Sequence, residues 1–236
     1  MIYFHGKALE TIAPVRIEDI RVSPIQLMPL ARQRAIRFGS DYVRMDGGNR
    51  TVSISFALLT NDTTVRQKQL MDITAWARTD KPDKLVLPYH DHLYLECACT
   101  ALPEPSTRQW WESKLTLVFT TFGNPYWTSI EEKSAPCGTA FYVGGNAPPL
   151  MEIRHTLESQ AENQSWSDGT DTMTFEGVPA GELTIDLNRQ IAKDDTSLGL
   201  LSLMGLYVFG SRFIIPKTGA QTITGIGTVY WRERWE

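Results

Sequence analysis

Asp46–Thr100 reads DGGNRTVSISFALLTND, then TTVRQKQLMDITAWARTDKPD, then KLVLPYHDHLYLECACT, and the reading of this stretch decides the fold. Along Arg50–Leu58 the apolar residues Val52, Ile54, Phe56 and Leu58 alternate with Thr51, Ser53, Ser55 and Ala57. A period of two predicts a strand with one buried face, fed by a hairpin-like turn at Asp46–Arg50. Asn61, Asp62 and Thr63 then break the alternation and offer side-chain oxygens to cap a helix. Leu70, Ile73, Trp76 and Ala77 recur at helical spacing, with Arg66, Lys68 and Asp72 elsewhere on the wheel, so this helix buries one stripe on a sheet and Pro82 ends it. Two more strands follow, the second over Leu93–Thr100. A small antiparallel sheet under one helix leaves edges to be managed. With no constellation of reactive side chains in it, it reads as an assembly unit more readily than a catalytic one.

Outward from this module, Ile2–Phe4 and Val15–Val22 are strand-like, the second alternating imperfectly around Glu18 and Asp19. The basic run Arg32, Arg34 and Arg37 reads as a solvated face or as a contact surface for an acidic neighbour. Trp110–Phe122 (WWESKLTLVFTTF) predicts a long strand, with Leu115, Leu117 and Phe119 set against Thr116 and Val118. Phe122, Pro125, Tyr126 and Trp127 then form an aromatic cap around the turn residues Gly123-Asn124-Pro125. Gly and Pro concentrate in Ser129–Pro149, which reads as a linker or inter-domain loops. The expected division is therefore 1–130 and 131–236. Beyond it, Met151–Leu157, Met173–Glu176, Leu183–Leu187 and Ser211–Ile215 are short strands between Gly, Pro and Asp turns, which predicts an all-β sandwich. The fold class expected is mainly β (α+β): a β-sandwich-like first domain with one helix, then a second β-sandwich.

With 42% hydrophobic and 21% charged residues the composition is that of an ordinary globular protein. Lys and Arg total 23 against 27 Asp and Glu, a net charge of -4, which argues against a dedicated nucleic-acid binder. No apolar run approaches the roughly 18 residues needed to cross a bilayer. His5, Lys7 and Glu10 occupy the place of a signal peptide's apolar centre, so synthesis in the cytoplasm is expected. The three cysteines, Cys97 and Cys99 on one strand and Cys137 in a loop, read as free thiols.

His90-Asp91-His92 is the one metal-like cluster, and Cys97 or Cys99 would have to approach it to complete a zinc site. A closed site needs about four ligands where the sequence promises two, and a turn between strands wants polar residues anyway. Ser167-Asp168-Gly169-Thr170-Asp171 has calcium-loop-like spacing but lacks the later bidentate Glu, and Asp-Gly between strands is a hairpin turn. Glu152, Glu158, Glu176, Glu182 and Asp186 supply carboxylates with nothing to pair them across a cleft. There is no nucleophile elbow, P-loop or dinucleotide fingerprint. The expectation is no catalysis, no metal and no cofactor.

Taken together and in order, several of these pieces resemble the distal tail proteins of long-tailed phages and prophages. Gly47–Ile54 is similar to that family's glycine–arginine turn and strand, with Arg50 in the turn. Leu70–Ala77, ending near Trp76, resembles its helix. Leu93–Thr100, the Trp110-Trp111 pair and Phe122–Trp127 resemble the end of its first domain. Gly145–Pro149, Leu183–Asp186 and Tyr230–Trp235 resemble the opening, an inner strand and the terminal strand of its second. The resemblance implies a structural virion protein without catalysis, a homo-hexameric ring at the tail tip that joins tail tube protein to baseplate or fibre proteins. It would be assembled in the host cytoplasm. The first domain would form the ring, and the second, a galectin-like or carbohydrate-module-like sandwich, would project outward. The apolar stretch Leu198–Phe209 departs from the family pattern.

A competing reading makes the second sandwich a carbohydrate-binding module for a host-surface saccharide, with Trp166 or Tyr207 stacking on sugar rings. A glycosidase built on the sandwich is a more distant reading. In the terminal strand, alternation puts Val229, Trp231, Glu233 and Trp235 on one face and Tyr230, Arg232 and Arg234 on the other, with the tryptophan face inward. Arg50, Trp76, Trp231 and Trp235 are thus the structural or assembly candidates.

Overall fold

A computed structural model describes all residues except 26, 34–39, 61, 104–114 and 195–200, and describes 27–33, 40–47, 194, 201 and 202 by backbone alone. The chain divides into two compact units, Met1–Trp127 and Thr128–Glu236.

The first unit contains β1 (Tyr3–Phe4), β2 (Lys7–Ala8), α1 (Leu9–Ile12), β3 (Val15–Val22), β4 (Leu27–Gln33) and β5 (Ser40–Gly47). They are followed by β6 (Thr51–Leu58), α2 (Thr63–Ala77), β7 (Asp83–Val86), β8 (Leu93–Ala101) and β9 (Leu115–Thr121). The order β3-β6-β9-β8-β7-β1-β2 forms an antiparallel sheet, while among the described residues β4 and β5 pair only with each other. β6 forms where its alternation predicts, and Val52, Ile54 and Phe56 are fully buried. On the opposite face Ser55 is buried too, and its hydroxyl meets that of Thr116 at 3.2 Å, so its burial leaves no lost hydrogen bond.

The Asp46–Arg50 turn is not a hairpin: β5 pairs with β4, whereas β6 pairs with β3 and β9, so the turn hands the chain from one sheet to another. The α2 N-terminus is capped by the Asp62 carboxylate, which accepts from the amides of Thr64 (2.8 Å) and Val65 (3.0 Å). Its buried residues are Gln69, Ile73, Trp76 and Ala77, with Leu70 only half-buried. The inward stripe therefore starts one residue earlier than expected. α2 also stops at Ala77, ahead of Pro82, because Arg78 is already extended. Trp76 packs edge-on against Phe4 (5.8 Å) and Phe119 (6.3 Å), which meet each other at 4.9 Å. Such pairs add about 0.5–1.5 kcal/mol each beyond the area they bury.

β10 (Trp127–Ser129) carries the chain across the division. The second unit holds β11 (Lys133–Pro136), β12 (Ala140–Val143), β13 (Ala147–Leu157), β14 (Ala161–Ser167), β15 (Thr172–Val178) and β16 (Gly181–Asp186). It ends with β17 (Ile191–Asp194), β18 (Leu201–Ser202), a 3₁₀ turn at Met204–Leu206, β19 (Gly219–Thr222) and β20 (Thr228–Trp235). The Gly- and Pro-rich stretch Ser129–Pro149 is thus no linker: it carries β11, β12 and the start of β13. The sheet β18-β17-β16-β13-β20-β11 faces the hairpin β14–β15 and the long-range pair β12–β19 across one apolar core containing Met151, Ile153, Ile185, Val229, Trp166, Met173, Phe175 and Val143. This is the mainly-β layered fold expected of the second domain. Asp168 makes the β14–β15 turn, its Oδ1 accepting from Thr170 N (2.9 Å) and Asp171 N (2.8 Å) beside Gly169 at φ +85. Ser211–Ile215, expected as a strand, is irregular. The Leu198–Leu200 part of the apolar stretch and the Trp110-Trp111 pair lie outside the described residues, as do Arg34 and Arg37 and the Arg32 side chain.

Candidate functional site

Three features carry the sequence-predicted residues: the anchor of β6, the C-terminal strand, and a cleft beside Tyr207. Arg50 is 5% exposed, its amide donating to Thr121 Oγ1 (2.8 Å) while its carbonyl accepts from Thr121 N (2.9 Å). It fastens the start of β6 to the end of β9. Trp76 is buried as well, its Nε1 donating to the Lys7 carbonyl at 3.0 Å, which ties α2 to the N-terminal hairpin.

β20 lies between β11 and β13, with Trp231 opposite Lys133 on one side and Met151 on the other. Trp231 is buried and stacks on Phe141 with centroids 4.6 Å apart. On the same face Glu233 is buried, accepting from Lys133 Nζ (2.7 Å) and Gly144 N (2.9 Å), so its charge is paired where it leaves water. On the other face the Arg154 guanidinium lies 4.1 Å over the Tyr230 ring and reaches both Glu152 and Glu132. Burial draws the Arg154 pKa down, but Glu152 and Glu132 outweigh it and leave the guanidinium above its ordinary value. Arg232 joins Glu132 (3.4 Å) and donates to the carbonyls of Ser129 and Ile130. Arg234 departs from the expected solvated face: it is buried and donates to the Pro148 carbonyl. Trp235, at the strand's end, is half-exposed.

The two sugar-stacking candidates fall in different places. Trp166 is 1% exposed, its Nε1 donating to the Ile226 carbonyl at 2.7 Å, and a ring so enclosed has no face left for a ligand. The neighbouring Gly225, at φ +134, permits the enclosure, since a Cβ there would collide with Trp166 Cδ1 and the Ser165 carbonyl. Tyr207 instead lines a shallow surface cleft with Asp171, Gln190, Ser211, Arg212 and Phe213. It stacks on Phe213 at 5.0 Å and 23°, and both rings meet the buried Phe175 edge-on, at 5.3 and 6.3 Å. Backbone bonds from Val208 N to Thr174 O (2.9 Å) and from Arg212 N to Thr172 O (2.8 Å) hold this loop on β15. From the sequence Asp171 reads only as part of a hairpin turn and Arg212 and Phe213 only as parts of a strand, and nothing marks Gln190. They come from separate turns and loops, and only the Asp and Asn turn residues around them leave a local signal.

The His90 ring packs 4.8 Å from Trp127 and 6.5 Å from His92, while Cys97 is enclosed in β8. Among the described residues no group of three or more His, Cys, Asp or Glu side chains is placed to hold a metal ion. Burial pushes the thiols of Cys97, Cys99 and Cys137 up, away from reactive thiolate.

No protein-family model and no curated protein sequence matches this chain. Among solved structures it is similar to the SPP1 Dit (gp 19.1) protein, a paradigm of hub adsorption apparatus in Gram-positive infecting phages. The TM-score is 0.73 at 14% identity, over 100% of this chain and 98% of that one. A looser likeness, TM-score 0.49 at 10% identity, covers 96% of this chain and 92% of a chain of the phage P2 baseplate in its activated conformation with Ca. From end to end, through both units, the chain has the fold of SPP1 Dit.

Proposed function

We propose that this chain is a distal tail protein, a structural component of a phage or prophage tail tip, working as a hub without catalysis. The observation that carries the reading is the full-length likeness to SPP1 Dit, which spans both units and leaves almost none of either chain unmatched. In this reading the protein forms a homo-hexameric ring, with the first unit as the belt, and joins the tail tube protein to baseplate proteins in the virion. A chain that repeats one head-to-tail contact around a closed axis gives such a ring, with each protomer offering two different surfaces. The C-terminal strand supports a rigid hub: Trp231 and Glu233 lock one face, and Arg154, Glu132, Glu152 and Arg232 tie the other.

Light scattering coupled to gel filtration, followed by negative-stain imaging, tests this. Six chains of 26.6 kDa would give a particle of about 160 kDa with a central opening. A single-chain mass at every concentration, unchanged by adding tail tube and baseplate proteins of the same phage, would overturn the reading.

A further inference from the structure

The cleft at Tyr207 has properties that tail assembly does not require, and we infer that it binds a neutral saccharide, with one pyranose ring seated on Tyr207. The inference goes beyond the hub reading and does not rest on it.

The platform is rigid and graded in exposure. Phe175 is fully buried, Phe213 is 9% exposed, and Tyr207 is the ring of the three that reaches solvent. Edge-on and stacked contacts fix all three, and the backbone following Tyr207 is bonded to β15 at Val208 and Arg212. The axial C–H face of a sugar ring suits an aromatic surface that needs no rearrangement to receive it.

Around that platform stand unused polar groups. Among the described residues the side chains of Asp171, Gln190 and Arg212 make no hydrogen bond or ion pair, although all three line the same cleft. Asp171 and Arg212 do not pair with each other. Gln190 is held at φ 56, a left-handed conformation uncommon outside glycine, in a turn begun by Asp186 Oδ1 accepting from Asn188 N (3.0 Å) and Arg189 N (2.9 Å). A carboxylate accepts from sugar hydroxyls, a guanidinium donates to them, and a carboxamide does both, while the Ser211 hydroxyl, whose proton goes to the Val208 carbonyl (2.8 Å), still accepts. An anionic ligand would be opposed by Asp171 and a cationic one by Arg212. A ligand rich in neutral hydroxyls satisfies both charges at once. A few convergent polar groups beside an aromatic surface is the usual make-up of a small-molecule site.

The test is titration of the full chain with glucose, galactose, N-acetylglucosamine and their β-linked disaccharides, followed by saturation-transfer NMR. At least one neutral sugar should bind with a millimolar or tighter Kd. Tyr207→Ala should weaken that binding by roughly tenfold or more, as loss of an anchoring aromatic does. Asp171→Asn should weaken it too and, having no partner to lose, should leave the fold intact, so it decides the matter if Tyr207→Ala unfolds the cleft. Tyr142→Ala, at a ring 70% exposed elsewhere on the unit, should change nothing. No binding across the panel, binding untouched by Asp171→Asn, or binding confined to acidic sugars would each overturn the proposal. An assembled ring without sugar binding would refute the cleft alone, and sugar binding by a solitary chain would refute the ring alone.

Discussion

Trp231 is held on all sides: Lys133 and Met151 flank it in the sheet, Phe141 stacks on it, and it belongs to the core that also contains Ile153 and Val229. Replacing so buried an indole by alanine removes apolar contact and leaves a cavity, so Trp231→Ala should cost about 3–5 kcal/mol in a thermal or urea melt. Tyr142→Ala should stay within about 0.5 kcal/mol of the parent. Two aspartates contribute to the acid response. Burial raises Asp83, but His5 and the Lys84 amide outweigh it. Burial likewise raises Asp168, but the amides of Asp171 and Thr170 and the Lys217 ammonium outweigh that. Both therefore fold with pKa values below the ordinary 3.8. Their contribution is complete above that value and is lost as pH falls through it towards the folded pKa. Melts from pH 6 down to pH 3 should show the parent losing stability at the acid end, while Asp168→Asn starts lower and changes less. Equal slopes for the two proteins would remove Asp168 from this account.

At the scale of an element, α2 depends on its first turn. Its apolar residues are not gathered on one side: Met71 and Val65 are exposed while Ile73, Trp76 and Ala77 are buried, so packing orients it and the cap starts it. Asp62 satisfies two amides, and Asp62→Ala should cost about 1 kcal/mol, with Asp62→Asn recovering most of it. Identical melting points for the alanine variant and the parent would mean that the helix start is fixed by tertiary contacts instead. β3, an edge of its sheet among the described residues, is protected differently. Arg16 pairs with Glu18 (3.2 Å), Arg21 pairs with Asp19 (2.6 Å), and the register with β6 shifts between Ile17 and Asp19. A charged, bulged edge is a poor template for strand addition. Ring contacts in the proposed hub should accordingly come from other surfaces of the first unit.

For the whole molecule, two units with separate cores mean that one melting point need not describe the chain. Trp76 belongs to the first unit and Trp231 to the second, so in calorimetry Trp76→Ala should lower one transition and Trp231→Ala the other. A single transition moved equally by both variants would show that the units unfold together. If the proposed hub forms a ring around DNA, the net charge of -4 suits a channel that does not hold it, since phosphate is retained by clustered lysine and arginine.

What the sequence determined by itself was the local structure. The alternation of Val52, Ile54 and Phe56, the Asp62 cap, the Asp168-Gly169 turn and the inward Trp231 were legible because period, capping and turn chemistry depend on neighbours a few residues away. Pairing and exposure belonged to the tertiary structure. Nothing near Asp46–Arg50 says that β5 turns to β4 and β6 to β3 and β9, and nothing near Gln69 says that it displaces Leu70 from the inward stripe. Trp166 stands between two serines and Tyr207 between Leu206 and Val208, so their neighbours in sequence point the wrong way about which ring is exposed. Gly225 and Ile226, some sixty residues along the chain from Trp166, close over the one, while the loop bonded to β15 leaves the other at the surface beside Asp171 and Arg212. Burial is decided by whichever distant segments arrive, and a ring's availability to a ligand depends on that arrival.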